Sequence, residues 1–193
     1  MRKRSLKALI FLSTLLLVAA CGSDMSPGRE LVSFSFTDQD GQSFGTKELE
    51  GHIWIADFIF TNCETVCPPM TMEMATLQAE AKEKGLDVKF VTFTVDPDVD
   101  TPEVLKKYIQ HFTEDESNWH LLSGYSQKDI ETFAMEQFQT IVQKPKTSDQ
   151  VIHGTNFYLI DQNGFLMAEY NFADESYRED IQKDIKRLLR FDS

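Results

Sequence analysis

The sequence predicts an α/β domain containing a parallel strand pair, and three observations lead there. Two predominantly apolar runs, Ile53 to Phe60 and Val88 to Val95, read as buried strands. Good helix formers fill the interval from Cys67 to Lys84, with Met70, Met74, Leu77 and Ala81 at helical spacing. Near the C-terminus, Asn156 to Ile160 and Phe165 to Tyr170 flank Asp161-Gln162-Asn163-Gly164, the pattern of an antiparallel hairpin over a tight turn. A strand, helix, strand unit implies parallel pairing through a right-handed crossover.

In chain order, Leu31 to Phe36 alternates apolar and polar residues as a half-buried strand does, and Asp38-Gln39-Asp40-Gly41 makes a turn after it. The domain is therefore expected to open with a β-hairpin. Gly85 stops the first long helix. Asp96-Pro97 breaks the second buried strand, and Thr101 caps a helix with Pro102 at its first position, running to about Phe112. Trp119 to Leu122 reads as a short strand, and Ser126-Gln127-Lys128-Asp129 opens another helix with a capping-box pattern. The polar segment Gln143 to Gln150, with one proline, is expected to be a mobile loop. Finally, Ser176-Tyr177-Arg178-Glu179 caps an amphipathic helix to the C-terminus. This order, with an N-terminal β-hairpin and a helical insertion, is that of a thioredoxin-like fold.

The N-terminus reads as an address. Arg2, Lys3, Arg4 and Lys7 precede a mostly apolar run of 13 residues, Ala8 to Ala20. That is shorter than the ~20 residues needed to span a bilayer and has the size of a signal-peptide core. Leu17-Val18-Ala19-Ala20-Cys21 also looks like a bacterial lipobox, in which Cys21 is lipidated and becomes the new N-terminus. The expected organisation is a lipoprotein signal peptide over residues 1–20, a tether over 21–30 and the domain over 31–193. The expected place is the outer face of a bacterial cell membrane, held by lipid. Loss of the four basic leader residues takes the net charge from −12 to −16, which argues against nucleic acid as a partner.

Two cysteines then remain, Cys63 and Cys67, separated by only three residues. A bridge between them closes too short a loop to constrain the unfolded chain much, so the spacing points to chemistry. Ligands of open α/β sheets sit beyond the carboxyl ends of strands, and Cys63 lies at such an end. Backbone amides and the helix dipole there favour a thiolate, while the neighbouring Glu64 pushes the other way. On a helix, positions i and i+4 place Cβ atoms roughly 5–6 Å apart. A disulfide prefers ~3.8 Å, whereas two sulfurs gripping one metal ion need no such approach. The spacing suits a pair that can both bind metal and form a disulfide when oxidised. His153 is the third member: in thioredoxins a cis-proline before the hairpin abuts the cysteine pair, and here Val151-Ile152-His153-Gly154-Thr155 occupies that place.

The block Asp57-Phe58-Ile59-Phe60-Thr61-Asn62-Cys63-Glu64-Thr65-Val66-Cys67-Pro68 resembles the Cys-x₃-Cys-Pro signature of the Sco/SenC proteins, copper chaperones for cytochrome c oxidase assembly. So do Thr94-Val95-Asp96-Pro97 through Asp100-Thr101-Pro102 and the histidine before the hairpin. The resemblance implies copper on Cys63, Cys67 and His153, the copper-bearing subunit of cytochrome c oxidase as partner, and a thiol reductant for the cysteine pair. Glu64 and Val99 depart from the family, standing where proline and a basic residue are common. Soft thiolates suit Cu(I), while imidazole with an oxygen ligand suits Cu(II); Asp96 or water could supply that oxygen.

Copper delivery therefore leads. A thiol-disulfide reductase that keeps the oxidase cysteines reduced is the second reading, and a thiol peroxidase of the same fold is the third. Gly41-Gln42-Ser43-Phe44-Gly45 matches a hydrolase pattern but follows a turn rather than a buried strand. Asp96 to Asp100 imitates a calcium loop but lacks its glycine and final glutamate. Met70 and Met74 read as core, not as a metal-docking patch.

Overall fold

The computed structural model describes residues 28–191, so the leader and the lipidation site at Cys21 lie outside the described residues. A six-stranded sheet has the order β1-β10-β9-β4-β5-β6. Its strands are β1 (Arg29–Glu30), β4 (Ile53–Ile59), β5 (Val88–Thr94), β6 (Trp119–Leu122), β9 (Asn156–Ile160) and β10 (Phe165–Asn171). The expected parallel pair is present, β4 on β5 from Ile53 opposite Val88 to Ile59 opposite Thr94, and β6 extends it in parallel. The β9–β10 hairpin joins β4 antiparallel. Two short ribbons flank the sheet: β2 (Ser35–Thr37) with β3 (Ser43–Gly45), and β7 (Val142–Gln143) with β8 (Ile152–His153).

Helices cover both faces. On one side, α2 (Cys67–Glu83), α3 (Pro102–Ile109) and α5 (Tyr177–Phe191) enclose Ile53, Ile55, Phe90, Trp119 and Phe157. On the other, α4 (Gln127–Phe138) and the N-terminal hairpin enclose Trp54, Phe58, Phe93 and Tyr158; the short α1 (Thr46–Leu49) follows β3. Because successive side chains of a strand alternate between faces, a central strand covered on both sides must be apolar throughout.

Local chemistry explains most boundaries. Gly85, at a φ of +63°, ends α2 as anticipated. The Ser126 hydroxyl accepts from the Asp129 amide and Asp129 returns a bond to the Ser126 amide, completing the capping box of α4. In the turn after β2, Asp38 Oδ1 accepts from the amides of Asp40 and Gln42. Several expectations need correction. Leu31 to Phe36 is not one strand: its amides are taken by scattered partners, Leu31 by the Gly164 carbonyl, Val32 by the Gln137 side chain and Phe34 by Thr46. Only Ser35 and Phe36 enter a ladder, as part of β2; before them the pattern records burial between elements. The sheet also reaches into the expected tether, where Arg29 and Glu30 pair with β10. Helix α3 stops at Ile109, and the chain continues to Phe112 as tight turns. Helix α5 does start directly after Ser176, whose hydroxyl donates to Asp174 and Asp180. The polar loop after β7 is closed by β8 and tied down by Lys144, whose amide bonds Glu131 and whose ammonium meets Asp96.

One residue of β4 breaks the apolar rule. Asp57 shares the parity of Ile53 and Ile55, is fully buried, and faces the α2 side. Its Oδ1 accepts from Thr92 at 2.6 Å, and Thr92 in turn accepts from the Trp119 indole at 3.0 Å. Oδ2 has no hydrogen-bond partner among the described residues. Burial raises its pKa from 3.8 to about 7, against the pull of the Thr92 hydroxyl. The native state thus keeps a proton that the unfolded chain has released between roughly pH 4 and 7, so stability falls across that window and levels off above it. Asp57→Asn should remove this contribution to the slope and raise stability at pH 8 by up to about 4 kcal/mol, with little change at pH 4. Urea unfolding of both proteins across pH 4–8 checks this; parallel profiles contradict it.

Candidate metal centre

The chain leaves the sheet at the carboxyl end of β4 and turns into α2, and this junction carries both cysteines. Helix α2 begins at Cys67 with Pro68 and Pro69 next. A helix starts with amides that have no partner in the preceding turn, and prolines remove theirs. Met70 already bonds back to the Val66 carbonyl. The single orphan donor of this first turn is therefore the Cys67 amide, and it points at Cys63 Sγ at 3.4 Å. Cys63 thus takes an amide of the helix start, while the N-cap residue, Val66, gives no side-chain bond. Thr65 Oγ1 stands 3.7 Å from the same sulfur.

The two sulfurs are unequal. Both are free thiols, with Cys63 6% and Cys67 0% exposed. Burial pushes Cys63 up, but the bonds from Cys67 and Thr65 outweigh it and hold the thiol below its ordinary value. Burial raises Cys67 far above that value; the neighbouring Cys63 and the buried Asp57 add to the effect, and the Phe60 backbone opposes it. Glu64 is exposed to solvent, which weakens its expected counter-effect on Cys63.

His153 stands where the sequence placed it. Ribbon β7–β8 sets it opposite Val142, and Phe60 meets its ring edge-on at 5.8 Å. Nδ1 lies 2.8 Å from the Gly154 carbonyl, which can only accept, so Nδ1 carries the proton. Nε2 then presents its lone pair to Cys67 Sγ at 3.4 Å. Burial lowers the imidazole pKa despite the Gly154 bond, favouring the neutral ligand form. Gly154 itself must lack a side chain, because a Cβ there would sit 2.2 Å from Thr140 Oγ1.

These distances can be compared with what a shared ion needs. Bonds of ~2.3 Å to sulfur and ~2.0 Å to nitrogen, at a tetrahedral angle, separate the donors by about 3.5 Å. The Cys67–His153 pair meets that spacing. Cys63 joins through the Cys67 amide, and among the described residues no three donors are already gathered as a cage. Asp96, the expected oxygen donor, is 2% exposed and held by Lys144 at 2.5 Å.

Sequence reasoning missed the groups that hold this junction together. Asp100, fully buried, accepts from the Thr61 amide and hydroxyl at 3.1 and 2.5 Å and from Thr94 Oγ1 at 2.5 Å. Lys144 and Asp57 were equally silent, although an acid inside an otherwise apolar strand is a signal in itself.

The inequality of the thiols is directly measurable. Brief iodoacetamide treatment of the folded, reduced protein should label Cys63 and spare Cys67. The rate should reach half its maximum below the ordinary cysteine value of about 8.5. Peptide mass spectrometry checks it, and labelling of Cys67 first contradicts it.

Comparison with known proteins identifies the family. The SCO1/SenC family model matches residues 24–190. The crystal structure of a SCO1/SenC family lipoprotein from Bacillus anthracis is 58% identical, with a TM-score of 0.82 over 85% of this chain and 98% of that one. BsSco, a Sco-family cytochrome c oxidase assembly protein in which a disulfide switch was identified, is 43% identical, with a TM-score of 0.77 over 84% and 95%. Bradyrhizobium japonicum ScoI, solved with copper bound, is 26% identical, with a TM-score of 0.66 over 84% and 99%. With the family model spanning nearly all of the sequence and the thioredoxin-like fold shared with these structures, this chain belongs to the SCO1/SenC family.

Proposed function

We propose that this chain is a lipid-anchored, extracytoplasmic protein that takes copper on Cys63, Cys67 and His153 and delivers it to, or prepares, the dinuclear copper site of cytochrome c oxidase. The observation that carries the reading is the Nε2 lone pair of His153 aimed at Cys67 Sγ from 3.4 Å, with Nδ1 committed to Gly154. A purely redox dithiol has no use for that imidazole. Two thiolates and a neutral imidazole form a soft-to-borderline donor set that suits copper in either oxidation state. The ion is cargo here. The chain's own contribution is to present Cys63 at a helix start, to keep Cys67 dry, and to fix the histidine tautomer. Asp96 already gives Oδ1 to Lys144, so water is the simpler fourth ligand.

A thiol-disulfide reductase is the second reading, and the unequal thiols favour it: an acidified Cys63 with a more deeply buried, proton-holding Cys67 is the order needed to accept and then release a mixed disulfide. Both roles use one dithiol and one external thiol reductant. The peroxidase reading weakens, because the Thr61 hydroxyl that would face peroxide is committed to Asp100.

Metal binding requires deprotonated thiols, and a disulfide has none to offer. Reduced protein should retain one copper per chain after desalting, and oxidised protein should retain almost none. His153→Ala should lower Cu(II) affinity at least tenfold while the Cys63–Cys67 disulfide still forms and reduces. Titration calorimetry beside a free-thiol count decides it; equal affinities remove His153 from the site.

No helix among the described residues is long and apolar enough to cross a membrane. Anchoring is assigned to Cys21 on the lipobox sequence. Cys21→Ser should release the protein from membranes or leave its precursor uncleaved, as fractionation and N-terminal peptide mass will show. An unlipidated wild-type N-terminus would end the assignment.

A further inference from the structure

Asp100 is fully buried and uses both carboxylate oxygens on two different chain segments. Oδ2 takes the Thr61 amide and the Thr94 hydroxyl, and Oδ1 takes the Thr61 hydroxyl. Thr61 follows β4 and stands two residues before Cys63. The ladder has already ended there, at the bond from the Val95 amide to the Ile59 carbonyl, so the Thr61 amide has no strand partner. Thr94, the last residue of β5, also accepts from the Asp96 amide at 3.1 Å. One buried carboxylate thus ties the loop bearing Cys63 to the loop bearing Asp96. None of the donors it satisfies belongs to a cysteine or to His153.

We propose that Asp100 is a positioning residue for the dithiol: through Thr61 it holds Cys63 at the start of α2, and through Thr94 it locks that placement to the Asp96 loop. This rests on the reading of Cys63 and Cys67 as the working pair. The direction of its effect follows from the covalent chemistry. In the disulfide, the S–S bond itself fixes Cys63. In the dithiol, the turn and the weaker bonds from the Cys67 amide and Thr65 do so, and the turn depends on where Thr61 sits. Loosening Thr61 therefore penalises the dithiol more than the disulfide. It penalises metal capture too, because Cys63 is no longer held beside Cys67.

The test uses Asp100→Asn, which keeps size but turns one acceptor into a donor facing hydroxyls, together with Thr61→Val and Thr61→Ser. The Cys63–Cys67 equilibrium is measured in glutathione buffers, and Cu(II) binding to the reduced protein is measured with the metal ion alone, both well below each variant's melting temperature. Asp100→Asn should shift the equilibrium at least tenfold toward disulfide, about 30 mV for two electrons, and weaken Cu(II) binding about tenfold. Thr61→Val should move both in the same direction by about threefold, and Thr61→Ser should restore wild-type values. If Asp100→Asn does not fold, the Thr61 pair decides alone. An unchanged or more oxidising potential in Thr61→Val, whatever its thermal stability, overturns the proposal. A wild-type protein with no reversible disulfide and no copper binding instead overturns the functional reading beneath it.

Discussion

Seven consecutive residues of β4 pair in parallel with seven of β5, and this register decides where the chemistry can be. Parallel strands finish at the same edge of a sheet. The exit of β4 at Thr61 and the exit of β5 at Val95 therefore emerge side by side, one leading to the cysteines and the other to Asp96 and Asp100. In an antiparallel pair these segments would lie at opposite ends. Helix α2 starts at the same edge because it follows β4 directly in the chain, so its first turn, its orphan amide and its dipole all meet Cys63. Burial of β4 on both faces makes the arrangement stiff, since a slip by one residue would drive Asp57 and the aromatic side chains to the wrong sides.

The electrostatics of the pair come from the same layout. Cys63 is the nearest acceptor to a helix start stripped of other donors by Pro68 and Pro69. Cys67 sits one turn deeper, above a buried acid, and meets solvent nowhere. Identical side chains four residues apart thus differ in acidity because Cys63 accepts bonds from Cys67 and Thr65, while burial keeps the proton on Cys67. His153 adds a neutral acceptor for the Cys67 thiol without adding charge to the core.

Much of this was legible in the residues. The apolar runs fixed β4 and β5, the turn residues fixed the β9–β10 hairpin, and Ser126 with Asp129 marked the start of α4, because each of these signals is local. The cysteine pair and His153 were legible because their residue types are rare in the chain and fall at element boundaries. Contacts distant in sequence were not. Nothing near Asp100 announces that its carboxylate will bond Thr61, and nothing near Lys144 announces that it will cross to Asp96. Such pairs exist only once the sheet brings the segments together. The alternation from Leu31 to Phe36 misled for a related reason: burial by a folded neighbour and burial in a ladder leave the same pattern in a short stretch.

The mounting of the three sulfur and nitrogen donors differs in one respect. Both cysteines are carried by the main sheet and its helix, whereas His153 is carried by β7–β8, a ribbon of two residue pairs that shares no ladder with that sheet. Its outer face shows Ile141 and Ile152, more than half exposed. An ion spanning Cys67 and His153 would join two mechanical parts, like a rivet through a plate and a flap. Losing the bond to His153 would cut the link between the two parts and leave every strand pairing of the plate as it is, so unloading asks nothing of the main sheet.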